Sequence, residues 1–312
     1  MTEAGSQTVV VAPVAWQAAW LSLHFVLDVA TISRGGGDLL DPLLVTTIVD
    51  ANQGALHADL ELQRRYGDPD SALPDELRRP VSVHALSVSL RLPYETVRRR
   101  VRRLADQGVC RLGPNGAVVP QAVVTSPPYL AVQDLRVARL AQFEADLAAA
   151  GVLTPGRSAL DEGPAAVRAS DRALGRYMLR TCEALIAFSG SAMAGFLLLG
   201  LCAANLPRPT LGGAPAPWPG SFAGLAKPAS ASDLARRLHM PAETVRRNLF
   251  ALADTGFAER SGRGWIAAAP ASARASIGRL AADNQIALRA LFARLEALSG
   301  AEPPRDLASR PV

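Results

Sequence analysis

The chain repeats itself. Shifted by 148 residues, Pro80–Arg111 falls on Pro228–Glu259 without a gap, so whatever fold one segment adopts the other is bound to share. Identities run through Pro80/Pro228, Ser82/Ser230, Leu86/Leu234, Leu90/Leu238 and Pro93/Pro241. They continue as Glu-Thr-Val-Arg-Arg at 95–99 and 243–247, then Leu-Ala-Asp at 104–106 and 252–254, and end at Gly108/Gly256. At an offset of 149, Phe143 and Gly151 fall opposite Phe292 and Gly300, which extends the repeat from a motif to a module. Two modules are therefore expected, residues 1–155 and 156–312, each ordered as apolar helix, variable linker, helical pair with hairpin, and long amphipathic helix. With 312 residues and 49% hydrophobic content the chain is long enough for two such cores.

The repeated segment reads as two helices joined by a tight turn. Ser82 is placed to N-cap a short helix with Leu86 and Leu90 at i and i+4, and Arg91-Leu92-Pro93 leads into a second helix over about Pro93–Gln107. Pro93 suits the first turn, where its missing N–H costs nothing, and Glu95 puts a negative charge where the helix dipole favours it. Val97, Val101 and Leu104 fall at i, i+4 and i+7 and mark the packed face. Gly108 stops the helix in the left-handed conformation. Val109–Leu112 and Ala117–Val119 then bracket Gly113-Pro114-Asn115-Gly116 as a two-stranded hairpin, and Phe257–Arg260, Ser261–Gly264 and Trp265–Ala267 repeat the plan.

Upstream, Asp41-Pro42 supplies an N-cap and an N1 proline for a helix whose stripe is Leu44, Ile48, Ala51 and Ala55; Ile186–Ala204 holds the equivalent place in the second module. Leu153–Pro164 reads as the joint between modules, Leu206–Pro228 as a long irregular loop with Gly67–Leu77 as its shorter counterpart, and Ala301–Val312 as a proline-broken tail. The expected fold class is mainly α with small β wings: two tandem winged helix-turn-helix modules, each flanked by helices.

A helix that follows such a turn is the element that enters the major groove of DNA. Its outward face carries Tyr94, Glu95, Thr96, Arg98, Arg99 and Arg102, with Arg103 at the flank, and the second copy offers Glu243, Thr244, Arg246 and Arg247. Arginine pairs bidentately with guanine O6 and N7 or grips phosphate, and the hydroxyls bond phosphate or a base edge. Arg111 and Asn115 in one hairpin, Arg260 and Arg263 in the other, are placed for the sugar-phosphate backbone or minor groove. Arg100, Arg102 and Arg103 have no counterparts in the second copy, where Asn248-Leu249-Phe250-Ala251 follows Arg246-Arg247, so the first helix is expected to supply most of the affinity.

The run S-x-x-x-L-x-x-x-L-x-x-P-x-E-T-V-R-R followed by L-A-D-x-G resembles the DNA-reading segment of the GntR, DeoR and MarR groups of bacterial winged helix-turn-helix regulators, over about 40 residues in each module. The order of the flanking helices is most similar to the MarR arrangement, in which helices on both sides of the wing domain dimerise. Two modules in one chain depart from all three groups, and no separate effector domain of the GntR or DeoR kind is read in the sequence. The resemblance implies a transcriptional regulator that binds double-stranded DNA as an internal pseudo-dimer, suiting two half-sites about ten base pairs apart. It leaves room for a homodimer through the N-terminal and flanking apolar helices and for a small-molecule effector. Tandem winged helices also resemble plasmid replication initiators and chromosome-segregation adaptors; an adaptor needs no outward arginines, whereas an initiator shares them.

Composition narrows the remaining classes. A net charge of +5 and pI near 9.6 favour a polyanionic partner, but only Lys227 of the 33 basic residues is lysine in an alanine-rich chain, a pattern that suggests the codon bias of a GC-rich bacterial genome, so arginine placement counts for more than number. His24, His57, His84 and His239 are scattered, His84 and His239 being expected to face solvent or phosphate. Cys110, Cys182 and Cys202 have no C-x-x-C spacing, so no enzyme activity, metal or cofactor is expected. Odd, unpaired cysteines and an N-terminus without a basic leader fit a cytoplasmic, nucleoid-associated protein. Ala4–Leu27 and Ala184–Leu206 carry no formal charge, yet Gln17, His24 and a Ser/Gly cluster interrupt them, so buried helices are expected rather than membrane spans. Trp16, Trp20, His24 and Phe25 share one helical stripe, expected to be core or dimer interface.

Overall fold

A computed structural model describes residues 12–34, 37–154, 156–206 and 226–299. The tail expected over Ala301–Val312 and most of the loop expected over Leu206–Pro228 lie outside the described residues. The described chain is mostly helical, with two small antiparallel sheets. In order it forms α1 (Pro13–Arg34), α2 (Leu40–Asn52), α3 (Leu60–Arg65), α4 (Val83–Leu90), α5 (Tyr94–Asp106), the hairpin β1 (Arg111–Gly113)–β2 (Gly116–Val118), one-turn α6 (Gln121–Val124) and α7 (Pro127–Ala149). There follow α8 (Val167–Ser189), α9 (Ala192–Asn205), α10 (Ala231–Leu238), α11 (Ala242–Asp254), the hairpin β3 (Ala258–Ser261)–β4 (Gly264–Ala267) and α12 (Arg274–Leu298).

In the apolar helices that precede the two helical pairs, two boundaries differ from the sequence expectation. The apolar run Ile186–Ala204 is broken: Gly190 adopts φ 85°, α8 ends before it, and Ser191 caps α9 by accepting the Ala194 N–H at 3.1 Å. The break lets α8 and α9 meet at 94°, with Gly195 so close to Leu185 that a Cβ would lie 2.9 Å from the leucine Cβ. Among the described residues no single helix is long and apolar enough to cross a membrane; the bent α8–α9 pair passes that test only together. Helix α2 begins at Leu40 with Leu39 as its N-cap residue, and the carboxylate of Asp38, one position upstream, accepts the Leu40 N–H at 2.9 Å. Asp41 is thereby released from the capping role the sequence implied. Leu44 and Ile48 are buried as expected, while Ala55 lies past the end of the helix and is exposed.

The long helices α1, α7, α8 and α12 pack on one another through the middle of the molecule, α1 and α8 each lying against both α7 and α12. Phe25 of α1 stacks on Phe143 of α7 at 3.9 Å between ring centroids, Phe143 meets Phe292 of α12 at 6.5 Å, and Tyr177 of α8 stands 6.1 Å from Phe25. A polar ladder crosses the same bundle, where Tyr177 donates to Asn284 Oδ1 at 2.9 Å and the Asn284 amide donates to Ser22 at 3.0 Å. Helix α2 packs on α8, and α9 packs on both α8 and α1. The four long helices thus bury apolar residues against one another, while Leu135 of α7 and Ile286 of α12 stay exposed.

The apolar interior does not divide at residue 155. One large core joins the four long helices to α9, α10, α11 and the second hairpin, and a smaller one, containing Leu44, Ile48, Leu86, Leu90, Val97, Val101, Leu104 and Ala117, lies beneath α4 and α5. The smaller unit is fastened to the bundle by polar contacts from α8. Arg168, 4% exposed, donates to the carbonyls of Asp68, Pro69 and Val124 at 2.5–3.0 Å, and Arg172 donates to those of Gln63 and Tyr66 at 2.6 Å. Guanidiniums suit this task because five donors in a fixed plane satisfy several loop carbonyls at once. Burial pulls the Arg172 guanidinium down to about 10, with the neighbouring Arg168 charge adding to the effect.

Candidate nucleic-acid interface

In both copies the sequence dictates the helical pair residue by residue. Ser82 accepts the Ala85 N–H and Ser230 the Asp233 N–H, each at 3.0 Å, which fixes the start of α4 and of α10. The turn then needs one left-handed residue, supplied by Arg91 (φ 47°) and His239 (φ 49°). Pro93 and Pro241 stand just before α5 and α11 as their N-terminal caps, one position earlier than the first-turn place expected for Pro93. Val97, Val101 and Leu104, and likewise Val245, Leu249 and Leu252, are buried, which turns the opposite faces outward. Gly108 and Gly256 end the pair with positive φ.

The hairpins follow, β1–β2 tighter and shifted from the expected strands, with Arg111 opposite Val118 and Arg260 opposite Trp265. Each is joined by a single-residue bridge: Val81 exchanges two hydrogen bonds with Ala117, and Ala229 two with Trp265. Gly116 makes this approach possible, since at φ 123° a Cβ would lie 2.2 Å from the Val81 carbonyl oxygen. A fully buried asparagine locks each hairpin to the preceding apolar helix. Asn52 donates to the carbonyls of Arg79 and Ala117 and accepts the Val119 N–H; Asn205 donates to those of Lys227 and Trp265 and accepts the Ala267 N–H. The fixed offset of the repeat does not align the two asparagines. Asn52 precedes Ala117 by 65 residues and Asn205 precedes Trp265 by 60, so the linkers put the two asparagines out of register.

On the outward face of α5, Tyr94, Glu95, Arg98, Arg99 and Arg102 are exposed and Thr96 is half-buried. Arg98 is held upright by two hydrogen bonds to Glu95 Oε2 at 2.9 and 2.7 Å, and this bonding raises the pKa of its guanidinium. Arg246 is held the same way by Glu243 at 2.8 and 2.6 Å, and the bonding holds Glu243 below its usual carboxylate range. Arg99, Arg102, Arg247 and Arg263 make no ion pair with any described residue. Side chains from Glu95 to Asp106 line an open furrow of ≈ 520 Å³ along α5.

The expected surplus of charge on the first helix is smaller than its composition. Arg100 is turned inward and donates to Asp38 and Asp41 at 2.9 and 2.7 Å, and Arg103 pairs with Asp41. Burial opposes the charged form of Asp38, but Arg100 and the amides of Leu40 and Asp41 outweigh it and hold the carboxyl below its ordinary value. Of the three extra arginines only Arg102 is left without an ion pair among the described residues. In the hairpins the balance reverses: Arg111 is bound to Asp75 at 2.5 Å and Asn115 is exposed at the tip, whereas Arg260 and Arg263 both stand exposed. His84 and His239 are exposed as expected.

All three cysteines are buried and free, with burial pushing Cys182 and Cys202 up to about 12, and no metal-holding cluster occurs among the described residues. Comparison with protein-family models, curated proteins and solved structures finds no match.

Proposed function

We propose that the protein is a sequence-specific DNA-binding transcriptional regulator whose two winged helix-turn-helix units act as an internal pseudo-dimer. The single observation that carries this reading is the paired outward Glu-Thr-x-Arg-Arg face, at the same place on α5 and α11, each behind a three-residue turn and ahead of a hairpin. Tyr94, Glu95, Thr96, Arg98, Arg99 and Arg102, with Arg103 and Arg111 once released from their carboxylates, form the first contact set together with Asn115. Glu243, Thr244, Arg246, Arg247, Arg260 and Arg263 form the second. In this scheme the bundle of α1, α7, α8 and α12 does within one chain what a dimer interface does between two. Charge is shared differently between the heads, through the helix in the first and through helix and hairpin in the second.

Genome-wide immunoprecipitation of the tagged full-length chain tests the proposal. Many promoter peaks are expected; one origin peak would make the protein an initiator, and absence of DNA would leave an adaptor.

A further inference from the structure

The two heads share a frame and differ where they face outward. At equivalent positions the first carries Arg102, Leu112, Asn115 and Ala117, and the second Phe250, Arg260, Arg263 and Trp265. In the second head these substitutions build one object. Trp265 of β4 is 2% exposed and supports Phe250 of α11 edge to face, ring centroids 5.3 Å apart at 89°. Arg260 lies 5.0 Å over the Trp265 ring and Arg246 5.8 Å from the Phe250 ring. An aromatic pair flanked by a cation at each end thus runs from the hairpin to the outward face of α11, and this ladder holds Phe250 in place while leaving it 47% exposed. The first head has alanine where the indole would stand, and at the Phe250 position it presents an exposed guanidinium that no described aromatic ring holds.

Resting on the DNA-binding proposal above, we infer that Phe250 reads a thymine C5-methyl group where Arg102 reads guanine, so that the DNA target is an asymmetric pair of half-sites rather than a palindrome. The methyl of thymine is the one apolar group that base edges present in the major groove. A phenyl ring set against a guanine or cytosine edge would bury donors and acceptors without returning a hydrogen bond. A ring already fixed by Trp265 loses little conformational freedom on contact, which makes it an effective apolar reader. Arg246, upright on Glu243 and beside the same ring, is left to meet a neighbouring base or phosphate.

Sequences selected from random duplexes by the full-length protein, by Phe250→Arg and by Arg102→Phe test the inference. The wild type is expected to return two unlike halves, one with a fixed guanine and one with a fixed thymine, and Phe250→Arg to replace that thymine preference by guanine and make the halves alike. Replacing the selected thymine by uracil removes only the methyl group and should weaken wild-type binding about fourfold, the value of one buried carbon. The same change should leave Phe250→Ala unaffected. Phe250→Leu, which keeps an apolar contact, should retain the thymine preference if the arginine variant folds poorly. A palindromic wild-type consensus, or a uracil site bound as tightly as a thymine site, overturns the inference while leaving DNA binding intact. Failure of every variant and the wild type to select any duplex overturns the regulator proposal along with it.

Discussion

Replacing Asn52 by alanine should loosen the first head alone, whereas the same change at Asn205 should weaken the whole molecule. In Asn52→Ala the Val119 N–H and the Arg79 carbonyl lose their partner, while the Ala117 carbonyl keeps the Val81 N–H at 3.1 Å. Each unsatisfied buried group costs about 1–3 kcal/mol, and the Arg79 carbonyl, partly open to water, recovers some of its share, so the loss is ~2–4 kcal/mol. Asn205→Ala removes the equivalent contacts from Ala267 and Lys227, with the Trp265 carbonyl retaining the Ala229 N–H at 3.0 Å, and costs a similar amount. The consequences diverge because Ala117 and Val119 belong to the smaller core and Trp265 and Ala267 to the large one. Amide hydrogen exchange combined with denaturant unfolding measures both. Asn52→Ala should speed exchange from Val81 to Val119 and leave the main transition nearly in place; Asn205→Ala should lower that transition. Unchanged exchange at Val119 in the first variant, or the same segments loosened in both, would refute the reasoning.

Other consequences are equally specific. Gly116→Ala forces a Cβ into the Val81 carbonyl at a left-handed φ and should cost more than 2 kcal/mol, whereas Gly262→Ala, with open space around it, should cost about 1 kcal/mol from φ alone, both read from thermal melts. Asp38 has a folded pKa below its ordinary 3.8, so its contribution is fully present above that value and fades as the pH falls through the lower folded pKa. Acid titration of Asp38→Asn should therefore show a smaller stability loss below about pH 4 than the wild type does. Arg168→Met leaves the carbonyls of Asp68, Pro69 and Val124 without their donor and should expose the Gly67–Leu77 linker to proteolysis before the bundle melts. Cys182 and Cys202 should resist iodoacetamide until the chain unfolds, because only the thiolate reacts and burial holds both near 12.

Much of this fold is legible in the sequence because its signals are local. Ser82 and Ser230 sit at the caps, Val97, Val101 and Leu104 show their period, and Gly108 and Gly256 terminate; each acts within a few residues of itself. The missed features are those closed over distance. Asp38 and Asp41 meet Arg100 and Arg103 from about 60 residues away, and nothing in the charge pattern of α5 distinguishes an arginine bound for α2 from one bound for solvent. Asn52 and Asn205 lie beyond linkers of unequal length. The ladder from Arg260 to Arg246 joins two elements whose residues look unrelated in sequence, and only the hairpin register places Trp265 beneath Phe250.

The central claim, that two heads of one chain grip DNA, is tested most directly by mobility shifts of a promoter duplex recovered from chromatin, using Arg98→Ala plus Arg99→Ala against Arg246→Ala plus Arg247→Ala. Both pairs should weaken binding at least tenfold and lower the salt dependence by about one unit for each phosphate-bound arginine removed, with Arg102→Ala adding a further loss only on the first head. Undiminished binding in either double variant would contradict a two-headed grip.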